Sequence, residues 1–157
     1  MTVQAEAGSE RTASAPEFAA LYAEVQQFYA RHMWLLDSGA AEDWAAGFTE
    51  DGVFAPPSAP RPIRGRAELA EGARRARAEL TERGEQHRHL LLSLDVEPAP
   101  EPDGAVKVRS YAQIVATTRG EQPRLHLMCV TYDVLVRDPA DGGLRISERR
   151  VTRDDRP

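Results

Sequence analysis

Hydrophobic and polar positions change period once along this chain. From Phe18 to Leu36, apolar and aromatic residues recur at spacings of three and four (Phe18, Leu21, Tyr22, Val25, Phe28, Tyr29, Met33, Leu36). That is the period of a helix with one wide buried stripe. Pro16 opens the segment and Asp37-Ser-Gly39 closes it, so a helix is predicted over 17–36. A second, short helix over 40–48 has Trp44 and Phe48 as its buried edge, and Thr49-Glu-Asp-Gly52 turns into a short strand at Val53-Phe54. Residues 55–62 carry too many prolines for regular structure and read as a rigid surface loop. A third helix over 67–83 turns Leu69, Ala73, Ala76 and Leu80 inward and leaves its charges in solvent.

From residue 87 the period falls to two. The strand 87–97 places Leu90, Leu92, Leu94 and Val96 on one face and His87, His89, Leu91, Ser93 and Asp95 on the other. Three more strands follow at 106–117, 125–136 and 144–151, divided by the turn-forming stretches 119–123 and 138–143. Connections this short make neighbours antiparallel. Neither face of 125–136 is charged enough for bulk water, which predicts an interior strand covered by helices on one side and by a second copy of the chain on the other. Tyr132 and Asp133 are adjacent on it, so only one of them faces inward. Helices first and strands second give an α+β domain over 17–151, between a leader at 1–16 expected to be disordered and a short tail at 152–157.

The 157 residues suit one domain with a real core, and 41% apolar with 29% charged residues is ordinary for a globular protein. The net charge of −5 is spread along the chain and leaves no footprint for nucleic acid. One cysteine, Cys129, excludes a disulfide framework within the chain and reads as a small buried hydrophobe. No apolar run approaches the ~20 residues of a membrane span. The first residues lack the pattern of a signal peptide, so a cytoplasmic location is expected.

Several strings in this order resemble the nuclear-transport-factor-like α+β barrel superfamily, and within it SnoaL-like polyketide cyclases and scytalone-dehydratase-type proteins. They are Asp37-Ser-Gly-Ala-Ala-Glu-Asp-Trp44, Phe48-Thr-Glu-Asp-Gly-Val-Phe54, Ile63-Arg-Gly-Arg-Ala-Glu-Leu69, Val108-Arg-Ser-Tyr111 and Gly142-Gly-Leu-Arg-Ile-Ser-Glu-Arg-Arg-Val151. The resemblance implies a cone-shaped barrel in which helices pack on a curved, mostly antiparallel sheet around a binding cavity. It also implies a homodimer formed through the sheet face and no cofactor. The catalytic carboxylate of such proteins falls on Asp37 and the dehydratase-type histidine on His89. Their second histidine has no counterpart, since threonine stands at 117 and 118, and the tyrosine before the aspartate is Leu36. The implied activity is cyclisation or dehydration of a polyketide-like or aromatic intermediate by general acid–base chemistry. The same fold also serves as the small, non-catalytic subunit of ring-hydroxylating dioxygenases, which is the alternative.

The residues fit the first reading in a specific way. A carboxylate that accepts from one imidazole nitrogen leaves the other free as a base, so Asp37 and His89 form the candidate catalytic pair. His126 and Tyr132, with Met128 between them, share a strand face from which they can hydrogen-bond an enolate or phenolate oxygen. Tyr29 and Trp34 are candidate aromatic walls for a flat substrate. His87 and His89 point the same way on one strand and could share a metal with His126, but Asp95 and Glu97 lie too far along to complete a set, so no metal is expected. Glu148, Arg145, Arg149 and Arg150 of the last strand are expected at the rim or an interface.

Overall fold

The computed structural model describes residues 13–101 and 104–156. Helix α1 (Ala15–Ser38) begins at a capping box in which the Ser14 N–H donates to the Glu17 carboxylate and the Glu17 N–H donates to the Ser14 hydroxyl. Residues 15 and 16 are therefore helix rather than leader, and the expected disorder of 1–12 falls outside the described residues. Gly39, at φ 85°, ends the helix in the left-handed conformation that a residue without Cβ adopts freely. Helix α2 (Ala41–Ala45) is shorter than predicted, because Phe48 already belongs to strand β1 (Phe48–Ala55). The proline-rich loop leads to the two-residue strand β2 (Ile63–Arg64), which the sequence did not signal, and then to α3 (Arg66–Glu82). Four long strands follow: β3 (Glu85–Glu97), β4 (Val106–Thr118), β5 (Arg124–Arg137) and β6 (Leu144–Arg153).

All three helices precede the four long strands, and the six strands form one curved sheet, as expected of this α+β class, in the order β2-β1-β6-β5-β4-β3. Every pairing is antiparallel except that of β1 with β6. The sheet is open, with β2 and β3 at its edges. The tail expected from 152 onward is partly strand, since β6 runs to Arg153 and Arg156 bridges back to it. No helix among the described residues is long and apolar enough to cross a membrane.

The core joins Val25 and Tyr29 of α1, Trp44 of α2 and Phe48 of β1 to Val106 and Val108 of β4, Leu135 of β5 and Ile146 of β6. Phe48, Leu135 and Ile146 are fully buried, each contributing roughly 1.5–3 kcal/mol of apolar transfer. His32 is sealed among aromatic rings, stacked at 5.4 Å on Phe28 and 5.6 Å on Trp44. Gly47 lies so close that a Cβ there would sit 2.5 Å from His32 Nδ1.

Two bulges decide which residues face inward. In β3 the register slips between Leu92 and Asp95, where Ser93 adopts φ 53°. Leu94 and Val96 are buried beyond the slip, whereas Leu90 and Leu92 before it are 38% and 40% exposed on the outer side. The four residues read as one apolar face are thus divided between two. In β6 the register slips at Ser147, so that Leu144 and Ile146 before it and Arg149 after it all turn inward. Arg149, expected at the rim, is 4% exposed.

Candidate active site

Between the helices and the concave face of the sheet lies a chamber of about 380 Å³. Leu69, Ala73, Ala76 and Leu80 of α3 form one wall, and Ala112, Ile114, Leu127 and Cys129 of the sheet form the opposite one. Pro56, Pro57 and Ser58 of the proline-rich loop border it. The lining is mostly apolar, and the size suits a ligand of two or three fused rings.

Asp37 and His89 meet in this chamber. His89 Nδ1 lies 2.6 Å from Asp37 Oδ1, and the His89 backbone N–H donates to Oδ2 at 2.9 Å. The carboxylate therefore grips both ring and backbone of one residue. Only 5% of the Asp37 side chain and 25% of the His89 side chain remain exposed. Asp37 is itself held from the other end. Its backbone carbonyl accepts from Arg77 Nη1 of α3 at 3.3 Å and from Gln86 Nε2 of β3 at 3.1 Å. The last turn of α1 is thus tied to the two elements that carry the rest of the site. With Nδ1–H given to the carboxylate, Nε2 of His89 is the nitrogen left for chemistry.

A second carboxylate–imidazole pair stands beside it. His87 Nε2 lies 2.7 Å from Glu85 Oε1, and Arg124 Nη2 donates to Glu85 Oε2 at 3.1 Å. The hydrogen bonds from His87 and then Arg124 hold the Glu85 carboxyl below its usual range. Residues 87 and 89 share a strand face, and their ring centroids are 6.4 Å apart.

The remaining candidates divide. His126 falls where β5 slips register against β4, and its ring packs 5.0 Å from His87 outside the chamber lining. Partial burial, then the neighbouring His87, lower its pKa. Met128 and Tyr132 face outward, the latter 38% exposed beneath the Arg150 guanidinium. The inward face of β5 is the other one: Leu127, Cys129, Thr131 and Asp133. Asp133, not Tyr132, points in.

Tyr29 borders a second, more open groove, which shares Asp37 and His89 with the chamber. It is 3% exposed, gives its hydroxyl to Asp133 Oδ2 at 2.8 Å, and sits under Arg149. Burial first, and the Asp133 charge second, push its pKa far up, so it stays a phenol. Trp34 is 65% exposed and borders the same open groove, beside Arg88 and Leu90.

Sequence reasoning missed Arg149. Its guanidinium meets Asp133 at two points, Nε to Oδ1 at 2.9 Å and Nη2 to Oδ2 at 2.6 Å, and it also lines the chamber. Burial works against that charge, but the facing carboxylate outweighs it and leaves the pKa raised. Burial raises the Cys129 thiol, making it a wall residue rather than a nucleophile. Among the described residues no three histidine, cysteine or acidic side chains converge as a metal site would require.

The sequence model of the SnoaL-like domain matches residues 17–150. Among solved structures, ActVI-ORFA from Streptomyces coelicolor is 32% identical, with a TM-score of 0.77 over 87% of this chain and 98% of that one. Aln2 from another Streptomyces strain is 32% identical, with a TM-score of 0.79 over 92% and 96%. A Catenulispora acidiphila protein solved in complex with S-DNPA is 38% identical, with a TM-score of 0.74 over 87% and 96%. No curated protein matches the chain. The likeness spans the helices and the sheet, and the chain belongs to the SnoaL-like family on the nuclear-transport-factor-like fold.

Proposed function

We propose that this protein is a cyclase or dehydratase that handles a polyketide-like or aromatic intermediate by general acid–base chemistry, with Asp37 and His89 as its core. The 2.6 Å contact between them inside an apolar chamber carries the reading. Nε2 of His89 takes a proton from carbon α to a carbonyl, and the Asp37 carboxylate steadies the imidazolium that results. The imidazolium then returns that proton to an oxygen, either one that leaves as water or one that becomes a hydroxyl in ring closure. Apolar walls strengthen each of these interactions by excluding water.

A subunit that only assembles a larger complex has no use for such a chamber, which weighs against the alternative. The Catenulispora relative solved with S-DNPA supports a small organic ligand. A two-ring β-hydroxy ketone, 3-hydroxy-1-tetralone, fits the chamber's size and loses water to give 1-naphthol, which is easily followed. Asp37→Asn and His89→Ala should each lower its turnover at least ~100-fold while leaving the circular dichroism spectrum intact. Unchanged rates in both variants would remove this pair from the mechanism.

A further inference from the structure

Loss of water from a β-hydroxy carbonyl moves two protons at two places. One leaves carbon as the C–H bond breaks; the other joins the departing hydroxyl as the C–O bond breaks. A single imidazole must do both in turn, whereas two can share the work. The chamber holds two, and each has its own carboxylate: His89 with Asp37 and His87 with Glu85. Both line the chamber, and the side chains of His87 and Glu85 are only 15% and 10% exposed. Each imidazole reaches a partner atom at roughly 3 Å, so rings 6.4 Å apart can address two atoms of one molecule.

We propose that His87, positioned by Glu85, is a second catalytic group of this chamber, acting as the acid while His89 acts as the base. This rests on the reading of the chamber given above and adds to it a second proton donor from the same strand. Nε2 of His89 takes the α-proton, the C–H electron pair becomes the new C=C bond, and the imidazolium of His87 protonates the β-hydroxyl, which departs as water. His89 ends protonated and His87 neutral, and proton exchange with solvent restores the starting state.

Charged and titratable groups from several elements surround His87. Glu85 and His89 share its strand, Arg124 and His126 face it from β5, Arg77 lies across the chamber on α3, and Arg153 lines it from β6. Glu85 is the carboxylate in direct contact with the His87 ring, and Arg83, just past the end of α3, lies 4.0 Å from the same carboxylate.

The test is the pH profile of 3-hydroxy-1-tetralone dehydration, followed as 1-naphthol formation, in His87→Gln, Glu85→Gln, His89→Gln and the unmodified protein. An acid must be protonated, so the rate should fall as pH rises through the His87 titration. A base must be neutral, so it should fall as pH drops through that of His89. His87→Gln should lower kcat about 100-fold, leave KM within a few fold, and abolish the alkaline limb. Glu85→Gln should lower kcat while leaving KM within a few fold, as loss of a positioning residue would. His89→Gln should remove activity altogether.

His87→Gln with unchanged kcat and alkaline limb, beside an inactive His89→Gln, overturns the second donor and leaves the first reading standing. Full activity in His89→Gln overturns both. Binding supplies a check that needs no turnover. Added 1-naphthol should shift the ring proton resonances of both His87 and His89, and a shift confined to His89 also overturns the proposal.

Discussion

Arg149 and Asp133 form a buried, two-point ion pair across β5 and β6, at 2.9 and 2.6 Å. The Tyr29 hydroxyl closes the arrangement from α1. Three elements therefore share one charge network beneath the chamber, and each partner satisfies a group that the others leave buried. Removing one side strands the other in a low-dielectric interior. Arg149→Ala should cost about 3–5 kcal/mol in urea unfolding, with Asp133→Ala similar and the double variant less than the sum. A cost below ~1 kcal/mol for either single variant would mean that the pair is not sealed from water.

Two glycines should respond in opposite directions to the same methyl group. Gly47→Ala puts its Cβ 2.5 Å from His32 Nδ1, in an aromatic cage with no room to yield, and should destabilise by about 1–3 kcal/mol. At Gly72, inside α3, the nearest atom to a new Cβ is Ile63 Cδ1 at 3.9 Å. Gly72→Ala should stabilise by about 0.5–1 kcal/mol through helix propensity. Thermal melts of the two variants provide the measurement.

His32 should make the fold acid-sensitive. Burial above all, and the charge of Arg149 next, hold its pKa well below the ordinary value of 6.5. The unfolded chain therefore takes up a proton near that value while the folded one does not. Stability is full above pH 6.5 and falls as the pH drops below it. The slope from this residue approaches about 1.4 kcal/mol per pH unit. His126, also lowered, acts in the same direction. Urea midpoints between pH 7.5 and 5 should fall less steeply in His32→Phe, and equal slopes would exclude His32 as the source.

The outer face of the sheet should hold two copies together. Leu92 of β3 pairs with Tyr111 of β4, which pairs with Val130 of β5. Leu90, Leu92, Tyr111 and Tyr132 are each more than a third exposed on this side. A contiguous apolar band of this kind suits a two-fold self-contact. We expect light scattering to give a dimer that Leu92→Glu with Tyr111→Glu converts to a folded monomer. A monomeric unmodified protein would end this expectation.

How far the chain could be read in advance differed from strand to strand. The stripe of α1 follows from its spacing because nothing interrupts a 24-residue helix. Alternation fails wherever a residue is inserted, and neither Ser93 nor Ser147 looks unlike any other serine in a strand. The first slip divided Leu90 and Leu92 from Leu94 and Val96, and the second carried Arg149 from the expected rim into the interior. On β5 the two faces were equally apolar, so His126, Met128 and Tyr132 could not be ranked against Cys129, Thr131 and Asp133 by hydropathy. Asp37 and His89 lie 52 positions apart, and no local pattern joins them. The family resemblance did so. Glu85 went unnoticed because it precedes the predicted start of its strand.

The pairing of β1 with β6 sets residues 48 and 146 side by side. Contacts so remote in sequence form late, since a long loop must close before either strand gains from the encounter. Before β6 docks, the inner surfaces of β3 to β5 can already come together, since their pairings join neighbours in sequence. Until that strand arrives, Asp133 lacks its counter-charge and the half-built vessel has an open seam. Chains caught before β6 docks should be prone to clumping and to capture by chaperones, so the closing of that seam governs the yield of usable protein on refolding.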